Sequence, residues 1–526
     1  MVKSVMSTAW NQIPKAELPR SSFNRSHGHK TTFDAGKLVP IYVDEALPGD
    51  TFNLKLTAFS RLATPIKPIM DNMFMETFFF SVPVRQIWAN WTKFNGEQIQ
   101  PGDSTDFQVP LINLDTAGSA EGSLADHFGL PINKTYSVNS LHFRAVQHIW
   151  NEWFRDQNLL PYSPVPIDDG PDPQGPFTNL PPRRKRPDYF TSCLPWAQKG
   201  DPVLIPVAST APVVPSSTDP IPTFKEAGLG SEPPKQLMMN DTSTAANWQS
   251  QPTLNLGAQW VYSGLEADLA SATGVSINSL RRAFQVQKVL ERDARSGTRY
   301  PETLRAHFGV TDPQMLVHQR PEFLGGGQSM VNINPVQQTA ATDPAATPQG
   351  NLAAEGTVTL NNHGFTKSFT EHCLLVGFVN VRADLNYQEG IDRMWVRRTR
   401  FDYYWPALSH IGEQSVQNLE IHFVGTPATD NAVFGYQERY AEYRYKPSKI
   451  TGKFRSAASD TLDVWHLAEK FENTPVLNQD FILDNPPVDR VVAVPSEPHF
   501  LFDGYFNLQC ARVMPTYGTP GMIDHF

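Results

Sequence analysis

The chain has 526 residues, 40% of them hydrophobic, and a formal net charge of −9. That length supports one large domain with insertions or two to four small ones, and the absence of an apolar run of about 18 residues argues against a helical membrane span. The N-terminal MVKSVMSTAWNQIPKAELPR has no apolar stretch of the kind a signal peptide needs. Cys193, Cys373 and Cys510 are too few and too scattered for a disulfide frame or a zinc site, so a reducing compartment fits. The 45 prolines and 32 phenylalanines point to long loops pinned by proline around an aromatic-rich β core. With an acidic total, any contact with nucleic acid must come from local basic patches.

Residues 1–50 are expected to form an extended arm. Its basic 25–30 stretch holds His27 and His29, a spacing that can bind metal but lacks further ligands nearby. Residues 51–62 alternate: Phe52, Leu54, Leu56 and Ala58 share one face, and Asn53, Lys55 and Thr57 the other, which predicts a half-buried strand. Phe74, Thr77, Phe78, Phe79, Phe80 and Val82 predict a second strand, closed by Pro83 and paired antiparallel with the first. Ile87, Trp88, Trp91 and Phe94 then fall at helical spacing, with Gly96 at the stop. Short and longer helices are predicted at 123–129, from the Ser123 and Asp126 pair, and after Asn139 or Ser140.

From Pro161 to Pro187 the chain is proline-rich and irregular. Within it, Arg183, Arg184, Lys185 and Arg186 are candidates for phosphate contact, for a localisation signal, or for a solvated loop. Residues 201 to about 260 carry few charges and weak periodicity, the pattern of a long surface loop. A helix follows from Ser276, with Ile277, Leu280, Phe284 and Leu290 as its buried stripe. Another opens at Pro301 and ends at Gly309, and 335–356 reads as loop. Strands resume at 374–379, apolar on both faces and therefore central. Further strands are expected at 419–423 with Glu420 and His422 outward, at 462–466, and at 499–513. Strands at both ends, with insertions between, predict a mainly β fold: an eight-stranded antiparallel jelly roll (β-sandwich) with long, partly helical insertion loops. The organisation expected is an arm over 1–50 and one jelly-roll domain over 51–526, with insertions over 84–350.

No GxSxG, HExxH, P-loop or GxGxxG motif occurs, and no catalytic residue, metal site or cofactor is expected. His372 and Cys373, as neighbours on a strand, point to opposite faces and do not make a nucleophile pair. Asp168, Asp169 and Asp172 are too incomplete a shell for calcium. The strongest signal lies between Tyr436 and Arg455. Arg439, Arg444, Lys446, Lys449, Lys453 and Arg455 outnumber Glu438 and Glu442 by 6 − 2 = 4 charges, and Tyr440, Tyr443 and Tyr445 interleave with them. Cations neutralise phosphates and tyrosine rings stack bases without reading sequence. A subunit interface uses the same residue types, and both alternatives stand. A second run, Arg393, Arg397, Arg398 and Arg400 with Trp395, has the same character.

Five blocks resemble the major capsid protein of the small single-stranded DNA bacteriophages, the Microviridae, in their gokushovirus-like branch. They are residues 72–97, DYFTSCLPWAQKG, ERDARSGTRYPETLRAHFGV with RPEFLGG, FGYQERYAEYRYKPSKITGKFRS, and the terminal MPTYGTPGMIDHF. The resemblance implies a T=1 icosahedral shell of sixty copies around a circular single-stranded DNA genome. It implies an internal scaffolding protein and a DNA pilot protein as partners. It also implies a variable protrusion at about 201–260 that meets a host surface receptor, and a virion assembled in the host cytoplasm. The alternative from composition is a carbohydrate-binding or carbohydrate-active β-sandwich, which the eleven tryptophans allow. No pair of facing carboxylates nominates itself for glycoside hydrolysis.

Overall fold

The structure is a computed structural model that describes residues 19–203, 213–215, 223–226, 235–239, 246–248, 258–262, 265–267, 277–311, 313, 319–341, 343 and 348–518. The chain divides into two compact units, one of Met1–Ala197 with Ala294–Phe526 and one of Gln198–Asp293.

The first unit is built on two antiparallel sheets. Its strands are β1 (Ser21–Asn24), β2 (His27–Phe33), β3 (Val39–Ala46), β4 (Thr51–Leu62), β5 (Met73–Pro83), β6 (Glu322–Met330), β7 (Asn332–Gln337), β8 (Leu352–Ser368) and β9 (Cys373–Ala383). A separate hairpin, β10 (Glu413–Gln417) and β11 (Val433–Glu438), precedes β12 (Phe500–Arg512). One sheet has the order β1–β12–β4–β8–β7, with β2 also on β12; the other runs β6–β5–β9–β3. These sheets therefore carry six and four strands, not four and four.

Period-two alternation decides which side chains meet. On β4, Phe52, Leu54, Leu56 and Ala58 are buried, while the intervening positions are exposed. They face Met73, Met75 and Phe79 of β5 and Leu375, Val379 and Val381 of β9 across one core, which β12 completes with Phe500, Phe502, Phe506 and Leu508. The even-numbered residues Phe80 and Val82 of β5, and Leu374, Val376 and Phe378 of β9, point the other way. They enter a second core with Trp88 and the helix Leu141–Ile149. The central strand β9 is thus buried on both faces, as its unbroken apolar run predicts. Each fully buried phenylalanine here contributes roughly 1.5–3 kcal/mol of transfer free energy.

Several expectations are corrected. Strands β4 and β5 are not a hairpin: β4 pairs with β12 (Phe506 opposite Leu56), and β5 pairs with β9 (Phe378 opposite Phe78). Each has an apolar face that demands the same core, and stacking across the core buries both. Residues 21–46 form no free arm; β1 and β2 are zipped to β12, and β3 edges the other sheet. Residues 1–18 lie outside the described set. Of the helix expected after Pro83, only single turns form, Val84–Gln86 and Trp91–Phe94, with Gly96 at φ 98°. The strand expected at 419–423 is a helical turn, Asn418–Ile421, in which Glu420 is buried rather than outward. The one expected at 462–466 is a turn, Asp463–Trp465. Strand enters only the two ends of the 335–356 loop, since β7 runs to Gln337 and β8 starts at Leu352.

Other elements match their signals. Ser123 Oγ accepts from the Asp126 N–H (3.3 Å) at the head of Leu124–His127. Asn139 Oδ1 accepts from the Leu141 N–H (2.9 Å) before the longer helix. Tyr300–Phe308 ends at Gly309 in the left-handed region.

The second unit contains short antiparallel strands. Thr223–Glu226 pairs with Lys235–Met239 and with Ala258–Tyr262, and Lys235–Met239 pairs with Ala246–Trp248. The 201–260 segment therefore holds a small four-stranded sheet and the strand Val213–Pro215 rather than bare loop; Ser276 falls outside the described set. On the helix Ile277–Ser296, the stripe expected to be buried is open: Ile277, Leu280 and Phe284 are exposed and Leu290 is half-buried. Among the described residues no helix is long and apolar enough to cross a membrane.

Candidate nucleic-acid interface

A third, smaller core carries the β10–β11 hairpin. Val416 and Phe434 of the hairpin pack with Tyr189, Phe190, Tyr387, Ile421 and Phe481. Glu420 is held at its base by Tyr189 Oη (2.8 Å), Arg393 Nη1 (3.2 Å) and the Gln417 N–H (3.1 Å). Burial raises the Glu420 pKa, and Arg393 opposes the shift.

The two basic and aromatic runs, about forty residues apart in sequence, meet on this base. After β11 the chain turns at Tyr440, a non-glycine residue at φ 63°. That left-handed conformation costs roughly 1–2 kcal/mol and is held by two hydrogen bonds. The Tyr440 N–H donates to Gln414 Oε1 (3.1 Å), and its hydroxyl donates to the Tyr403 carbonyl (3.2 Å). Tyr404 lies edge-on to Tyr440 (5.1 Å between ring centroids) and to Tyr443 (6.3 Å). Arg397 stacks on Tyr443 at 4.2 Å and pairs with Glu442 at 3.3 Å. Arg439 stacks on Tyr440, and Arg400 on Trp405. Lys449 bridges to Asp392 at 2.5 Å beside the two-residue parallel pairing of Asn386–Tyr387 with Ser448–Lys449.

The result is one surface of exposed rings and cations. Trp395, Phe401, Tyr403, Tyr404, Tyr443 and Tyr445 are all at least half exposed, Trp395 at 74%. Among the cations proposed from sequence, Arg444 is taken up by Glu438 and Lys449 by Asp392. Lys446, Lys453 and Arg455 are exposed and have no carboxylate partner among the described residues, and Arg439 bonds only the Phe401 carbonyl. Tyr403, Tyr404 and Trp405 were not singled out in the sequence, although RRTRFDYYW repeats the signal of the later run.

The other basic run belongs elsewhere. Arg183 and Arg186 converge with Arg382 on the buried Glu76, Arg184 pairs with Asp156, and Lys185, almost fully buried, pairs with Glu469 at 2.7 Å. Arg183 lies over the Phe78 and Phe154 rings, which meet edge-on, and its pKa falls to about 10 through burial. These four cations are engaged by carboxylates and rings of the same chain, with Arg184 and Arg186 still partly exposed. The acidic trio is similarly occupied: Asp172 and Asp168 by Arg144, and Asp169 by Trp88 and Asn90. His27, itself exposed, stacks on the buried Phe506 and Tyr42. Cys373 is buried in β9, and His372 lies against Trp91.

A two-sheet antiparallel sandwich with large insertions and an open aromatic surface is the architecture of a subunit made to be covered by other molecules. Residues 11–522 match the family described as "Capsid protein (F protein)", and the chain belongs to that family. It is 44% identical over 525 residues to capsid protein VP1 of Bdellovibrio phage phiMH2K, an alignment covering 98% of each chain. It is 41% identical to capsid protein VP1 of Chlamydia phage 1, over 99% of this chain and 98% of that one. Identity to capsid protein VP1 of Spiroplasma virus 4 is 37%, over 96% of each. The chain is thus a major capsid protein, a self-assembling component of a virion, and the carbohydrate alternative is set aside.

Proposed function

We propose that sixty copies of this chain close into a T=1 shell around a circular single-stranded DNA genome, with the Tyr403–Tyr443 surface turned toward the packaged strand. The observation that carries this is the meeting of two separate arginine- and tyrosine-rich runs on one packed base, in a chain whose total charge is negative. Exposed rings give stacking platforms, and Lys446, Lys453 and Arg455 on the adjoining segment give phosphate contacts. An internal scaffolding protein and a DNA pilot protein join the assembly in the host cytoplasm. The Gln198–Asp293 unit serves as the protrusion toward a host surface receptor.

The test is Lys446→Glu with Lys453→Glu, both side chains being free of ion pairs among the described residues. Particles should form with a lowered ratio of absorbance at 260 to 280 nm. Shells with full DNA content would remove the segment from DNA contact; failure of shells to form would make it a contact between copies.

A further inference from the structure

Beside the aromatic surface lies a cavity of about 550 Å³, within the range of about 300–1,000 Å³ typical of small-molecule sites. Four arginines line it: Arg393, Arg397, Arg398 and Arg439. Two of them are satisfied internally, Arg393 by Glu420 and Arg397 by Glu442. The other two have no carboxylate partner among the described residues. Arg398 is exposed, and only its backbone N–H is engaged, by Asp402. Arg439 reaches only the Phe401 carbonyl, and its Nε is buried without a partner. Arg397 Nε, on a side chain nine-tenths buried, is likewise unpartnered. The remaining wall carboxylates are engaged by backbone: Asp430 accepts from Val424 and Gly425, and Asp402 from Arg398 and Thr399.

We propose that this cavity seats one phosphodiester group of a single strand, held between the guanidinium groups of Arg398 and Arg439. This rests on the DNA-facing reading of the surface and narrows it to one site. Planar guanidinium donors match phosphate oxygens in pairs. A phosphate is also the ligand that gives two unmatched cations their counter-charge, leaving the capped carboxylates undisturbed.

The experiment is fluorescence-anisotropy titration of the purified full chain with labelled oligothymidylate at several salt concentrations. Arg398→Gln with Arg439→Gln should weaken binding about tenfold and flatten the slope of log affinity against log salt by about 0.7. Arg398→Lys with Arg439→Lys should restore the slope while recovering only part of the affinity. Arg398→Gln alone, at an exposed residue with no side-chain partner among the described residues, gives the same readout with no threat to folding. If the chain binds the oligonucleotide and the double glutamine variant binds it equally well, the seat is refuted and the wider surface reading survives. If the unaltered chain binds no oligonucleotide, both fall.

Discussion

Arg144 and Asp172 form a doubly hydrogen-bonded ion pair shut away from water, Nε to Oδ2 at 2.7 Å and Nη2 to Oδ1 at 2.6 Å, with side chains 0% and 1% exposed. The same guanidinium donates to the carbonyls of Ile87 (3.1 Å) and Asp168 (2.9 Å). One side chain thus ties the helix Leu141–Ile149 to the turn after β5 and to the proline-rich segment. Removing one partner strands a buried charge, so Asp172→Asn should cost about 3–5 kcal/mol. Replacing both, Arg144→Met with Asp172→Leu, should cost less than that single change. Urea unfolding of the isolated subunit compares them, and additive losses would contradict the pairing.

Gly377 sits on β9 between Phe79 of β5 and Tyr42 of β3. A Cβ there would lie 2.7 Å from the Phe79 ring and 2.9 Å from Tyr42 Cβ. Gly377→Ala should destabilise by about 1–3 kcal/mol through overpacking, read as a lowered unfolding midpoint. Pairing it with Phe79→Leu should recover part of the loss, because the ring is what the methyl strikes.

Asp484 is buried near Lys185, and its Oδ2 has no hydrogen-bond partner. Burial pushes its pKa up to about 7, against the pull of Lys185. An unfolded aspartate titrates near about 3.9, so the folded chain holds this proton more tightly. Its contribution to stability is full below about pH 4 and is lost as pH rises to about 7. Asp484→Asn cannot ionise, so its thermal midpoint should gain a few degrees on the unaltered chain between pH 5 and pH 8. A constant difference across that range would refute the assignment.

The three cysteines are buried and unpaired, and burial raises the thiol pKa of each, that of Cys373 to about 12. Thiolate is the reactive form. A disulfide-exchange reagent at pH 8 should therefore label none of them at the rate of a free thiol until denaturant is added. Rapid labelling of even one would show local opening of its strand or turn.

Strands β4, β5, β9 and β12 were legible because alternation, or an unbroken apolar run, is a local property of the chain. Their partners were not, because β4 and β5 follow one another yet stack across the core in different sheets. The turn at Asn418–Ile421 looked like a strand because Leu419 and Ile421 alternate. What defeated that pattern is Glu420, whose charge is met by Arg393 and whose carboxylate accepts the Gln417 N–H. The 183–186 run showed its cations but not their acceptors: Glu76 lies 107 residues from Arg183, and Glu469 lies 284 from Lys185. At the candidate interface both runs could be read, but not their juxtaposition, which depends on a hairpin placed by a third core.

The pairing of β1 and β2 with β12 has a consequence for synthesis. Lys30 meets Asp503 at a separation of 473 positions, so the six-stranded sheet cannot close until residues near 500 have left the ribosome. Until those residues are released, β4 keeps one edge bare. A nascent chain stalled before that point should be captured by chaperones or aggregate, whereas release of the last strand should trigger folding of the whole sandwich.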